Sequence, residues 1–136
     1  MSIGSFTKKE LIIIDDDKAT VSYNVKLTEQ VDCFSKIHTF TSAECALDFL
    51  SEQTKQNTLF NGAIILDVYM GDLDGFEFLD EIEDLELVNP SIKVLVLTVE
   101  NSARSREKTA ISSLKTNFEL KPLTEAHLLN LANTYG

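Results

Sequence analysis

Gly62-Ala63-Ile64-Ile65-Leu66-Asp67 is the stretch whose reading decides the fold. Three large apolar residues in a row, without polar alternation, predict a strand buried on both faces, the pattern of a parallel sheet. Asp67 closes that strand. Val68-Tyr69-Met70-Gly71-Asp72-Leu73-Asp74-Gly75 follows, and its two Gly and two further Asp predict a turn. A carboxylate where a buried strand emerges stands where ligands bind in open α/β sheets. Taken alone, the pattern more often marks a residue that caps a strand or the next helix.

Working outward, the same kind of run recurs. Leu11-Ile12-Ile13-Ile14 predicts a second interior strand and ends at Asp15-Asp16-Asp17. From Lys18 to Val31 the spacing turns helical, with Val21 and Val25, then Leu27 and Val31, four apart. Cys33 to Phe40 is mixed and suits a less buried edge strand. Thr41-Ser42 predicts a helix cap, and Ala43, Ala46, Leu47 and Leu50 form the apolar stripe behind it. Residues 51–61 are polar and read as a loop. Beyond Gly75, Phe76 to Leu87 predicts a helix with Phe78, Leu79, Ile82 and Leu85 on one face and Asp80, Glu81, Glu83, Asp84 and Glu86 facing water. Asn89-Pro90 should stop it.

Ile92 to Leu97 is a fourth apolar run and ends at Thr98. Residues 101–115 are polar, with Ala103, Ala110, Ile111 and Leu114 as weak helical markers. Asn117 to Leu120 predicts a short fifth strand ending at Lys121-Pro122, and Thr124 to Tyr135 a last helix. Strand and helix thus alternate five times, which predicts an α/β fold: a five-stranded parallel sheet with helices on both faces.

The 136 residues suit one domain with a sizeable core, and 43% hydrophobic residues exclude a disordered chain. A formal net charge of −10 argues against nucleic acid or an anionic membrane surface as partner, since both need clustered Lys and Arg. Cys33 and Cys45 have no metal-ligand spacing with His38 or His127, and read as reduced thiols of a cytoplasmic protein. Four apolar residues before three aspartates are too few for a signal-peptide core or a membrane span.

Asp15-Asp16, Asp67, Thr98 and Lys121 all stand at C-terminal strand ends, which share one edge in a parallel sheet. If strand order reverses between the first and third strands, the acids meet at that switch point. Carboxylates a few ångströms apart repel by roughly 4 kcal/mol per pair at an effective dielectric near 20. A hard divalent cation offsets this, and Mg²⁺ takes one or two carboxylates with waters and phosphate oxygens. Carboxylate, Mg²⁺, ammonium and hydroxyl together suit a phosphoryl group, and a carboxylate can itself be the nucleophile.

Ile12-Ile13-Ile14-Asp15-Asp16-Asp17, Leu66-Asp67 with Gly75 eight residues on, Leu97-Thr98 and Lys121-Pro122 resemble the receiver domain of two-component response regulators, from about Glu10 to Ala132. The resemblance implies a flavodoxin-like sheet of order 2-1-3-4-5. It implies Asp67 as phospho-acceptor, Asp16 as a direct Mg²⁺ ligand, Asp15 acting largely through water, and the Tyr69 backbone carbonyl as third protein ligand. It further implies that Thr98 and Lys121 contact the phosphoryl oxygens, that Phe118 is the aromatic switch, and that the Lys121-Pro122 bond is cis. A sensor histidine kinase or a phosphotransfer protein would be the donor. A stand-alone receiver over residues 1–136 (core about 10–134), with no output domain, would signal to a separate protein or to a second copy of itself.

The chain departs from the family pattern in places. Gly71 stands where Pro is usual, Leu114-Lys115 replaces a small pair, and Tyr69 is bulky where many relatives are small or polar. Two other readings compete. An aspartate-nucleophile phosphatase usually carries a second Asp two residues after the nucleophile, where this chain has Tyr69. A pseudo-receiver that is never phosphorylated is disfavoured by the intact acidic, Thr and Lys set.

Overall fold

The structure, a computed structural model, describes residues 9–67, 75–98 and 115–132. Its elements are β1 (Glu10–Ile14), α1 (Lys18–Val31), β2 (Lys36–Phe40), α2 (Ala43–Lys55), β3 (Gly62–Asp67), α3 (Gly75–Asp84), β4 (Lys93–Thr98), β5 (Lys115–Leu120) and α4 (Glu125–Ala132). All strand pairs are parallel, and the sheet order is β2-β1-β3-β4-β5. The expected fold class and strand order are both observed. Of the weakly marked helix over 101–115, residues 101–114 lie outside the described residues, and Lys115 opens β5.

Strand alternation divides the core in two. Ile12, Ile14, Ile64, Leu66, Val94 and Val96 point to one face, against Ala43, Ala46 and Leu50 of α2 and Phe78, Leu79 and Ile82 of α3. Leu11, Ile13, Ala63, Ile65, Leu95 and Leu97 point to the other, against α1 and Leu128 and Leu131 of α4. Both faces are covered, which is why β1, β3 and β4 are continuous apolar runs. β2, on the edge, is only partly buried. Gly62 is required where β3 starts beside β1, because a Cβ there would collide with the carbonyl oxygen of Glu10.

Three local expectations are corrected. The polar stretch after Ser51 does not begin a loop, because α2 continues to Lys55. Its C-terminus closes with the Thr58 N–H on the Gln53 carbonyl and the Asn57 N–H on that of Thr54, Asn57 taking a left-handed φ of 61°. α3 ends in the same way and before Asn89-Pro90: the Leu87 N–H donates to the Ile82 carbonyl and the Glu86 N–H to that of Glu83, with φ 52° at Glu86. That turn swings Leu87 and Val88 into the core and leaves Leu85, expected on the apolar face, 57% exposed. In α1 the most deeply buried positions are the polar Asn24 and Thr28, and the Thr28 hydroxyl donates to the Asn24 carbonyl at 2.7 Å. A backbone acceptor one turn away lets a hydroxyl enter the core without loss of a hydrogen bond.

Candidate functional site

β1 and β3 are neighbours, and their register sets Ile14 beside Leu66. Asp15 and Asp67 therefore leave the sheet side by side. The order β2-β1-β3 reverses direction at this point, so the crevice lies at a topological switch. Asp15 is 3% exposed and Asp67 9%, while Asp16 faces solvent. One carboxylate oxygen from each of Asp15, Asp16 and Asp67 lies within 4.8 Å of the others.

Lys121 reaches this cluster from the end of β5. Its Nζ donates to Asp15 Oδ2 at 3.1 Å and stands 3.5 Å from Asp67 Oδ1. Burial opposes its charge, but the hydrogen bond to Asp15 and the charges of Asp67 and Asp15 outweigh burial and raise its pKa above the usual 10.5. Its backbone N–H donates to the Thr98 carbonyl at 2.8 Å, which ties the ends of β4 and β5 together. Thr98 is 1% exposed. The Lys121-Pro122 bond is cis.

Asp17 has a part that the sequence reading did not assign. It is the N-cap of α1, with its carboxylate accepting from the Ala19 N–H and the Thr20 hydroxyl, both at 3.0 Å. The Thr20 hydrogen bond first, and the Ala19 N–H second, hold its pKa below the ordinary carboxylate value. Its own N–H donates to Asp15 Oδ1 at 2.9 Å, fixing that carboxylate in place. An acid directly before the first helical period is a recognisable cap signal. The three consecutive aspartates thus divide by position into a buried, an exposed and a capping residue.

The structure brings Asp15, Asp16, Asp67, Thr98 and Lys121 to one edge of the sheet, as the strand ends predict. Phe118 is paired with Val96 across β4–β5, is partly buried, and packs against the core shared with α2 and α3. Tyr69 and Gly71 lie outside the described residues. The donor set decides which ion would fit. Three closely spaced carboxylates with one ammonium, and no sulfur or imidazole among them, suit a hard divalent cation of the Mg²⁺ class. No helix among the described residues is long and apolar enough to cross a membrane.

The family model for the response regulator receiver domain matches residues 11–133. The chain is 30% identical over 118 residues to the heme response regulator HssR of Staphylococcus epidermidis, a match covering 87% of this chain and 47% of that protein. It thus spans about half the length of the curated relatives it matches. Among solved structures it is similar to a two-component response regulator from Cytophaga hutchinsonii, at TM-score 0.80 and 22% identity, over 94% of this chain and 96% of that one. The CheX-CheY-BeF3-Mg complex from Borrelia burgdorferi gives TM-score 0.74 at 21% identity, over 96% and 90% of the two chains. At such identity these likenesses establish the fold.

Proposed function

This chain belongs to the response regulator receiver domain family, and we propose that it takes a phosphoryl group on Asp67 from a sensor histidine kinase or a histidine phosphotransfer protein. The observation that carries this reading is the meeting of Asp15, Asp16 and Asp67 within 4.8 Å, with the Lys121 ammonium on two of them. In this reading an Asp67 carboxylate oxygen attacks the phosphorus of a phosphohistidine. The O–P bond forms, the P–N bond breaks, and the electron pair leaves on the imidazole nitrogen, which takes up a proton. Lys121 offsets the charge gathering on the phosphoryl oxygens, and the Thr98 hydroxyl donates to one of them. Asp15, Asp16, Asp67 and the Tyr69 backbone carbonyl would hold Mg²⁺, with Asp16 direct and Asp15 largely through water. When bound, that ion neutralises phosphoryl charge. The chain catalyses only its own phosphorylation and dephosphorylation, and is not an enzyme acting on others.

Phosphorylation adds about −1.5 to −2 charge at this edge. Thr98 then moves toward the new oxygens, and Phe118 turns inward to fill the space beneath β4. A downstream protein, or a second copy of this chain, that binds the inward state better is thereby recruited. Such signalling belongs in the cytoplasm, where histidine kinases present their phosphoryl groups. Acetyl phosphate with Mg²⁺ should add one phosphoryl mass to the wild-type chain and none to Asp67→Asn. An equal mass gain in Asp67→Asn overturns the assignment.

A further inference from the structure

Asp17 is not among the carboxylates that converge at the sheet edge. Those are Asp15, Asp16 and Asp67, within 4.8 Å of one another. Both oxygens of Asp17 are instead taken by α1, Oδ1 accepting from the Ala19 N–H and Oδ2 from the Thr20 hydroxyl. Asp17 nevertheless reaches the cluster through its backbone. Its N–H donates to Asp15 Oδ1 at 2.9 Å, and Lys121 Nζ holds the other oxygen, Oδ2, at 3.1 Å. Both oxygens of Asp15 are thus fixed by donors, one from the chain and one from a side chain.

The direction of that N–H depends on how α1 begins. An N-cap residue keeps a non-helical backbone while its side chain takes up a free N–H of the first turn. Asp17 has φ −92° and ψ 109°, and its carbonyl accepts from the Val21 N–H at 3.0 Å. With the helix as a fixed frame, φ at Asp17 sets the plane of the Asp16–Asp17 peptide. That plane carries the N–H aimed at Asp15 and, at its other end, the Cα of Asp16. One torsion therefore bears on both acids of the pair. A residue that cannot cap leaves the first turn to fray, and the torsion is no longer held.

We propose that Asp17 is a positioning residue for the Mg²⁺ site: by capping α1, its carboxylate holds the backbone turn that presents Asp15 and Asp16 to the ion. The inference rests on the reading of that pair as Mg²⁺ ligands. Capping geometry carries the effect, not negative charge, and substitution separates the two. Asn and Ser cap about as well as Asp without its charge, whereas Glu keeps the charge and is not a preferred cap.

The test is calorimetric Mg²⁺ titration of the full chain at neutral pH, with amide NMR spectra of the same proteins free of Mg²⁺. Affinity should fall about tenfold in Asp17→Ala and Asp17→Glu, as when a hydrogen bond behind a metal ligand is lost. It should stay close to wild type in Asp17→Asn and Asp17→Ser. The residue-17 amide should lie downfield, as a donor to a carboxylate does, in the wild type and in the Asn and Ser variants, and move upfield in the other two. Ile82→Val, a core truncation in α3, is the control for stability alone. It should lower the melting temperature as a lost cap does and leave Mg²⁺ affinity unchanged. Full affinity in Asp17→Ala, an equal loss in Ile82→Val, or affinity that follows charge rather than capping overturns the proposal. A wild-type chain that binds no Mg²⁺ overturns the reading of the site itself, and the proposal with it.

Discussion

Lys121 is the residue on which the acidic site balances. Its ammonium lies 3.1 Å from Asp15 and 3.5 Å from Asp67, and is the offsetting charge that the described residues supply to the cluster. A group whose pKa is raised on folding adds stability that is complete below its unfolded value, here 10.5, and is lost as pH rises through the higher folded value. Replacing Lys121 by Met should therefore lower apo stability at neutral pH by on the order of 1 kcal/mol, since the ammonium is partly exposed. The gap between the two proteins should hold constant to about pH 10 and close above it. Urea melts across that range would check this, and parallel curves at high pH would contradict it. Asp16 has the opposite balance, because it is an exposed carboxylate beside two others. Asp16→Ala should weaken Mg²⁺ at least about tenfold, or 1.4 kcal/mol, while apo stability stays level or rises. Calorimetric titration with unchanged affinity would exclude Asp16 as a ligand.

At the scale of elements, helix ends matter more than helix middles. α1 spans Lys18–Val31 as its periodicity predicts, because its start has a capping acid and its stripe a clear period. α3 does not reach the expected Leu87. Its pattern stays helical through Leu85, but the left-handed turn at Glu86 redirects the chain. Burial of Leu87 and Val88, each 5% exposed, offsets the strain at Glu86 and the exposure of Leu85. A left-handed conformation costs a residue with a Cβ roughly 1–2 kcal/mol, part of which glycine returns through its freer unfolded chain. Glu86→Gly should therefore stabilise the fold by about 0.5–1 kcal/mol. Thermal melts of the two proteins would decide, and a destabilised variant would mean that the Glu86 side chain holds the turn.

Over the whole molecule, the sheet order converts residues far apart in sequence into one site. Asp15 and Lys121 are 106 residues apart and share a hydrogen bond. Any ligand that binds only the assembled edge should stabilise the fold by RT ln(1 + [L]/Kd), about 2.7 kcal/mol at a hundredfold excess over Kd. Beryllium fluoride with Mg²⁺ should raise the melting temperature of the wild type and leave Asp67→Asn unmoved. An equal rise in both would place the binding elsewhere.

The apolar runs ending at Asp15, Asp67 and Thr98 were enough to predict an interior parallel sheet and to mark its reactive edge. Strands buried on both faces must be apolar throughout, and a charge can appear only where such a strand leaves the core. Linear sequence also held the alternation of elements and the cap signals at Asp17 and Ser42, since these act over a few residues. Only tertiary structure decided the polar side of α1, where Asn24 and Thr28 are buried. It also decided where α2 and α3 end, because a left-handed turn at Asn57 or Glu86 has no fixed residue signature and is selected by what it buries afterwards. The division of Asp15, Asp16 and Asp67 into buried and exposed carboxylates, and the distances of Asp15 and Asp67 to Lys121, belong to the same class. They depend on which strands are neighbours, and neighbour relations across a sheet are set by the packing of both faces at once.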